Sequence, residues 1–211
     1  MDQYGVVGHP VSQSWSPFIH GLFARQTDQA LTYRLYDIAP AQFRGEVLEF
    51  FAHGGRGLNV TVPHKEAAAD LANELSARAE RAGAVNTLML QGDHHLIGDN
   101  TDGAGLVRDL ERNLRVPVAD RRILILGAGG AARGVLGPLL DLQPAELVLA
   151  NRGADRAINL ATLFADLGAV RGCGFADLSG EPFDLVINAT SAALTGGVPA
   201  VYPSIVGPDT V

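Results

Sequence analysis

The chain has 211 residues, of which 47% are hydrophobic and 18% charged, a balance that excludes a disordered protein and allows one large or two modest domains. Its formal net charge of −7 excludes a general electrostatic attraction to nucleic acid or anionic lipid. With the single cysteine, Cys173, no intrachain disulfide can form, and no window reaches the roughly 18 apolar residues of a membrane-spanning helix, so no membrane partner is expected and the cytoplasm is the expected compartment.

In chain order, a short apolar run over 4–8 ends in Gly-His-Pro, and Ser16-Pro17 opens a segment with apolar residues at Phe18, Ile19, Leu22 and Phe23. This predicts strand, loop and helix. A second strand over 31–38 leads to an amphipathic helix with Phe43, Val47, Leu48, Phe50 and Phe51, closed by Gly54-Gly55. A third strand over 57–62 precedes Pro63, which suits the first turn of an Ala-rich helix reaching Leu71. Residues 85–90 and 95–97 form a hairpin-like pair around Gln91-Gly92-Asp93, and a helix starts near Asp102. Strands alternating with helices predict an α/β protein whose N-terminal domain has a mainly parallel sheet. The polar stretch 115–122 contains a proline and marks the linker, giving domains 1–115 and 116–211.

The second half restarts with Ile123-Leu124-Ile125-Leu126, a continuous apolar run expected of a strand buried on both faces. Helix 130–142, strand 146–150, helix 154–167 and strands 169–173 and 184–188 continue the alternation of a doubly wound, Rossmann-like sheet. Gly127-Ala128-Gly129-Gly130-Ala131-Ala132 leaves the apolar strand directly and opens a helix, the context in which G-x-G-x-x-A binds a dinucleotide. Gly127 allows the tight turn, Gly129 lets backbone amides approach a pyrophosphate, and the helix N-terminus adds positive potential. At the end of the next strand, where an acid would bind the ribose of NAD, stand Asn151 and Arg152, with Arg156 a turn later. The arginines suit a bidentate grip on the 2′-phosphate of NADP; read instead as solvated residues of a helix start, they leave NAD open.

In the first half, strand alternation puts Asn59 and Thr61 on one face, opposite Leu58, Val60 and Val62. Lys65 falls in the first turn of the next helix, where the macrodipole disfavours a cation by roughly 0.3–1 kcal/mol, so the position gains nothing structural from lysine. It reads as a proton-transfer group or as a solvated surface residue. Asp99-Asn100-Thr101-Asp102-Gly103 is a binding cluster or an Asx turn with one helix cap, Asn86 is a ligand or a turn amide, and Ser14 and Ser16 include a candidate N-cap before Pro17.

Asn-Val-Thr-Val-Pro-His-Lys at 59–65, Ala-Gly-Ala-Val-Asn-Thr at 82–87, Gly-Asp-Asn-Thr-Asp-Gly at 98–103 and Gly-Ala-Gly-Gly-Ala at 127–131 resemble, in order, the motifs of shikimate dehydrogenases. Phe-Asp-Leu-Val-Ile-Asn-Ala-Thr-Ser at 183–191 resembles a family strand near the nicotinamide. The resemblance implies a substrate domain and an NADP-binding domain facing each other across a cleft, and reversible NADP-dependent reduction of 3-dehydroshikimate to shikimate on the route to aromatic amino acids. It implies Lys65 and Asp102 as the catalytic pair; Asn59, Thr61 and Asn86 as ligands for ring hydroxyls; and Ser14 and Ser16 as carboxylate anchors. It further implies Gly127, Ala128, Gly129, Gly130, Ala131, Asn151, Arg152, Arg156, Asn188, Ala189 and Thr190 along the cofactor.

Trp15 stands between the serines where the family usually has a small or basic residue, Gly153 replaces a common threonine, and Ala192-Ala193-Leu194 replaces a glycine-richer stretch. Family members continue for roughly a further quarter of their length, with helices that return to the first domain, whereas this sequence ends at Val211. The leading expectation is an active enzyme; the rivals are an NAD-using quinate/shikimate dehydrogenase and a non-catalytic protein that binds shikimate or NADPH. A monomer or a homodimer is expected. The histidines at 9, 20, 53, 64, 94 and 95 lack metal-ligand spacing, so no metal is expected.

Overall fold

The computed structural model describes residues 1–178, 180–192 and 196–211, so Ala193 and Leu194 of the departure just noted lie outside the described residues. The chain divides into two compact units, Met1–Thr101 and Asp102–Val211.

The first unit runs β1 (Asp2–Gly8), α1 (Ser16–Gln26), β2 (Leu31–Asp37), α2 (Phe43–Ala52), β3 (Gly55–Val60), α3 (Lys65–Leu71), β4 (Glu74–Leu75), α4 (Ala77–Ala82), β5 (Thr87–Gln91) and β6 (His95–Asp99). Its six strands form one sheet in the order β2-β1-β3-β5-β6-β4. β1 pairs parallel with β2 and β3, and β6 with β4, while β5 is antiparallel to β3 and β6. One sheet face is a dry core: Val7, Leu58, Val60 and Leu88 pack with Phe43, Val47 and Phe51 of α2. The helical spacing of those three puts them on one stripe, each side chain contributing roughly 1.5–3 kcal/mol by burial. The other face takes what the alternation leaves over, including Tyr4, Tyr33, Asn59 and Thr87, and α1, which buries none of its residues, packs against β2 on the edge of the sheet.

Two elements of this unit lie outside the sequence reading, β4 and α4. Both are too short for a hydrophobic period to show. Local chemistry marks α4 all the same: Ser76 caps it by accepting from the Ala79 amide, and Gly83 closes it at φ 57°. The expected strand over 57–62 ends at Val60, although the Thr61 amide still bonds the Val7 carbonyl at 2.9 Å.

The second unit opens with α5 (Asp102–Arg108), continued by a π-helical turn over Asp109–Leu114, then β7 (Arg122–Leu126), α6 (Gly130–Leu140), β8 (Glu146–Asn151), α7 (Ala154–Leu163), β9 (Val170–Gly174) and β10 (Leu185–Asn188). Its sheet is parallel throughout, in the order β10-β7-β8-β9. Alternate residues of β7 enter different cores, Ile123 and Ile125 one, Leu124 and Leu126 the other, which explains why that strand reads as unbroken hydrophobe. α5 lies against α6 so closely that a Cβ on Gly103 would come within 2.5 Å of the Gly134 carbonyl. α7 stops at Leu163, short of the expected 167. Among the described residues no helix is long and apolar enough to cross a membrane.

Candidate active site

In the first unit the predicted polar residues gather where β1 and β3 run out. Gly8 and Thr61 are in tight contact there: a Cβ on Gly8 would meet the Thr61 methyl at 2.5 Å. Lys65 is the first residue of α3 and half-buried. Its backbone is tied down, the Lys65 carbonyl accepting from the Val85 amide at 2.8 Å, the Asn86 carbonyl from Val60 at 2.7 Å and the Asp99 carbonyl from Asn86 at 3.0 Å. The helix start is fixed from beneath by His64, 1% exposed, whose ring stacks on Phe43 at 4.5 Å. Its Nε2 donates to the Ile38 carbonyl at 2.7 Å, and burial holds its pKa below the ordinary value, so the ring is the neutral tautomer with the proton on Nε2.

The side chains form a relay of hydrogen bonds. The Tyr33 hydroxyl donates to Asn59 Oδ1 at 2.6 Å, Asn59 Nδ2 reaches Thr87 Oγ1 at 3.5 Å, and Thr87 Oγ1 donates to Asn86 Oδ1 at 2.9 Å. Asn86 also accepts from the Thr101 amide at 3.0 Å and donates from Nδ2 to Thr101 Oγ1 at 2.9 Å. The alternative reading of Asn86 as a turn amide is therefore incomplete: it bridges two segments. Ser14 Oγ accepts from the Ser16 amide at 3.3 Å and donates to Ser16 Oγ at 3.0 Å. Ser16 is the first residue of α1, and the cap position belongs to Trp15, which is 74% exposed.

The loop after β6 is held by charge. Asp99 accepts from Ser76 Oγ at 2.6 Å, from Arg78 Nε at 2.7 Å and from the Asn100 amide at 2.8 Å. The Arg78 guanidinium, with help from Ser76 and the amide, holds the Asp99 carboxyl down at about 2 against the cost of burial. Asn100, 2% exposed, donates to the Ala84 carbonyl at 2.9 Å. The cluster that the sequence offers as an Asx turn thus spends its polar groups on fixing Thr101 and the segment that leads into Asp102. Tyr33, Thr87, Ser76 and Arg78 carry no sequence expectation; for Thr87 a signal is available, since it closes the Ala-Gly-Ala-Val-Asn-Thr stretch at 82–87.

In the second unit the candidate cofactor residues meet at the ends of β7, β8 and β10. Gly127 has φ 106°, and a Cβ there would stand 2.9 Å from the Ala189 carbonyl, so the turn requires glycine twice over. Ala189 in turn bonds Leu126 at 2.8 Å, which brings Asn188, Ala189 and Thr190 beside Gly127 and Ala128. Asn188 Oδ1 accepts from Thr190 Oγ1 at 2.7 Å and from its amide at 3.1 Å. At Gly129, the N-cap of α6, a Cβ would meet no other described atom within 4 Å. Glycine there is not required by packing among the described residues, and the space beside its Cα is free of described protein atoms. At the end of β8, Asn151 Nδ2 donates to the Gly153 carbonyl at 3.0 Å, while Arg152 and Arg156 are exposed. The donor set suits a dinucleotide carrying an extra phosphate: a glycine turn leading into a helix N-terminus, and Arg152 and Arg156 with no acid at 151 or 152.

Residues 6–88 match the family model described as the shikimate dehydrogenase substrate binding domain, and residues 110–195 match that of shikimate / quinate 5-dehydrogenase. A protein of Methylococcus capsulatus named shikimate dehydrogenase (NADP(+)) is 54% identical over 207 residues, covering 98% of this chain and 74% of that relative. The chain belongs to the shikimate dehydrogenase family. Among solved structures, the shikimate dehydrogenase of Aquifex aeolicus superposes with a TM-score of 0.85 at 30% identity, covering 100% of this chain and 77% of that one. The shikimate 5-dehydrogenase of Thermus thermophilus, solved with NADP(H) and shikimate, gives 0.81 at 32% identity, covering 96% and 73%. The mixed sheet of the first unit and the parallel sheet of the second are thus the family's substrate and Rossmann-like folds.

Proposed function

We propose that this protein is an NADP-dependent oxidoreductase that reversibly reduces 3-dehydroshikimate to shikimate in aromatic amino acid biosynthesis. The observation that carries the reading is high identity over nearly the whole chain to a shikimate dehydrogenase (NADP(+)), with Lys65 and Asp102 both present in their motifs. A bound nicotinamide supplies the hydride acceptor, and returns hydride in the reverse direction. Oxidation of the alcohol also releases a proton, and Lys65 takes it from the hydroxyl and gives it back on reduction. Asp102 accepts a hydrogen bond from the Lys65 amine and keeps its lone pair aimed at that hydroxyl. Asn59, Thr61 and Asn86 hold the other ring hydroxyls, and Ser14 and Ser16 the carboxylate. Gly127 to Ala131 receive the pyrophosphate, Asn188 to Thr190 lie along the nicotinamide half, and Asn151, Arg152 and Arg156 face the 2′-phosphate. The enzyme works in the cytoplasm as a monomer or homodimer.

The test is NADP+ reduction with shikimate, set beside quinate and beside NAD+. The expected result is turnover with shikimate and NADP+ that falls about 10²–10⁴-fold in Lys65→Ala. Equal rates in the two proteins would remove Lys65 from the chemistry, preferred use of quinate with NAD+ would reassign the substrate, and tight binding with no turnover would make the protein a ligand-binding member of the family.

A further inference from the structure

Tyr33 belongs to no motif, yet its hydroxyl holds the amide of Asn59. The two residues lie on strands separated by β1: the register pairs Tyr33 with Tyr4, Tyr4 with Gly57, and Val6 with Asn59. Two strand spacings of roughly 4.8 Å separate their backbones, a gap that a phenol can bridge and a serine or threonine cannot. The ring is clamped over the sheet, stacked on His20 of α1 with centroids 4.1 Å apart and planes 9° from parallel. It forms one wall of a groove of about 300 Å³ whose lining includes Tyr4, Leu31, Gly57 and Met89.

The polarity of the bond matters more than its presence. An asparagine amide can present either its oxygen or its nitrogen in a given direction, and the two differ little in shape. Because the Tyr33 hydroxyl donates to Oδ1 at 2.6 Å, Oδ1 is committed to Tyr33 and Nδ2 faces the other way. There, among the described residues, it has only the long 3.5 Å contact to Thr87, whose own hydroxyl is already given to Asn86. Nδ2 is therefore a donor with capacity left over. Burial pushes the Tyr33 phenol up to about 12, with Ser16 pulling weakly the other way, so the group stays protonated and able to donate across the working pH range.

We propose that Tyr33 is a positioning residue of the substrate site: its hydroxyl fixes the Asn59 amide so that Nδ2 is presented as a hydrogen-bond donor to an oxygen of the substrate ring. This rests on the substrate assignment made above. It differs from that assignment in naming a residue that touches no substrate and in fixing which end of Asn59 does.

Tyr33→Phe is the test, since it removes the hydroxyl and leaves the ring, its stack on His20 and the groove wall in place. Shikimate affinity is measured by calorimetry without cofactor, alongside KM and kcat for both substrates. The expected result is a shikimate Kd and KM about tenfold higher, with kcat within about threefold and the KM for NADP+ unchanged. Asn59→Ala should weaken shikimate by at least as much, and adding Tyr33→Phe to it should change the affinity by less than about twofold, because the residue acts through Asn59. A shikimate affinity unchanged in Tyr33→Phe while Asn59→Ala loses it would overturn the inference alone, as would full additivity of the two changes or an equal rise in the NADP+ KM. No shikimate binding by the unaltered protein would overturn the substrate assignment and this inference together.

Discussion

The candidate sites of the two units are built by opposite means. In the second, the candidate site is backbone: a turn that only glycine can make, the helix start it leads into, and a neighbouring turn pressed against it. In the first, it is side chains that hold one another: Tyr33, Asn59, Thr87, Asn86 and Thr101 are drawn from four separate segments and linked by hydrogen bonds. A backbone site is specified by one contiguous stretch of sequence and tolerates no Cβ where the turn closes. A side-chain site is distributed, so each member can be removed at moderate cost, with losses that depend on the neighbours.

The largest expected effect tests the backbone site. Gly127→Val places a branched side chain at φ 106° and 2.9 Å from the Ala189 carbonyl. NADPH affinity, followed by fluorescence titration, should fall more than about 100-fold, and stability should drop by roughly 1–3 kcal/mol from the strained turn. Shikimate binding by calorimetry should persist, because the first unit's relay is untouched; joint loss of both ligands would show that the two sites are not separable. Next in size is Arg152→Ala. If the exposed guanidinium faces the 2′-phosphate, the KM for NADP+ rises about tenfold and that for NAD+ stays near its starting value. A parallel rise for both cofactors would leave Arg152 as a solvated residue.

The same contrast explains what the sequence could reveal. The glycine turn was legible because strand, turn and helix signals are contiguous, and the β7 run because burial on both faces leaves no alternation to interpret. Lys65, Asn86 and Asp102 stand as candidates only through their motifs, since a lysine at a helix start and an asparagine in a turn each have an ordinary explanation. Tyr33 was not legible as a site residue: it lies in no motif, and its role depends on the parallel pairing of β2 and β3 with β1, a register that no local stretch encodes. Arg78 was hidden for a related reason, since it belongs to α4, a helix too short to announce itself.

The smallest effect separates the units by pH. Asp99 anchors the loop into Asp102 through Arg78, Ser76 and the Asn100 amide, and its carboxyl is held at about 2 in the folded protein against an ordinary value of 3.8. A carboxyl depressed on folding stabilises the native state above its unfolded pKa, and that contribution disappears as pH falls from about 4 toward 2. Asp99→Asn should therefore cost about 1 kcal/mol at pH 7, a modest figure because the Arg78 side chain is 45% exposed, and the difference from the unaltered protein should shrink between pH 4 and pH 2. Urea midpoints across that range measure it. Shikimate KM at pH 7 should rise about two- to fivefold as Asn100 and Thr101 loosen, while NADP+ affinity, which depends on the glycine turn of the second unit, should not move. A stability gap that persists unchanged at pH 2 would mean that Asp99 acts through shape and hydrogen bonding alone, and the charge would then have no part in holding the loop.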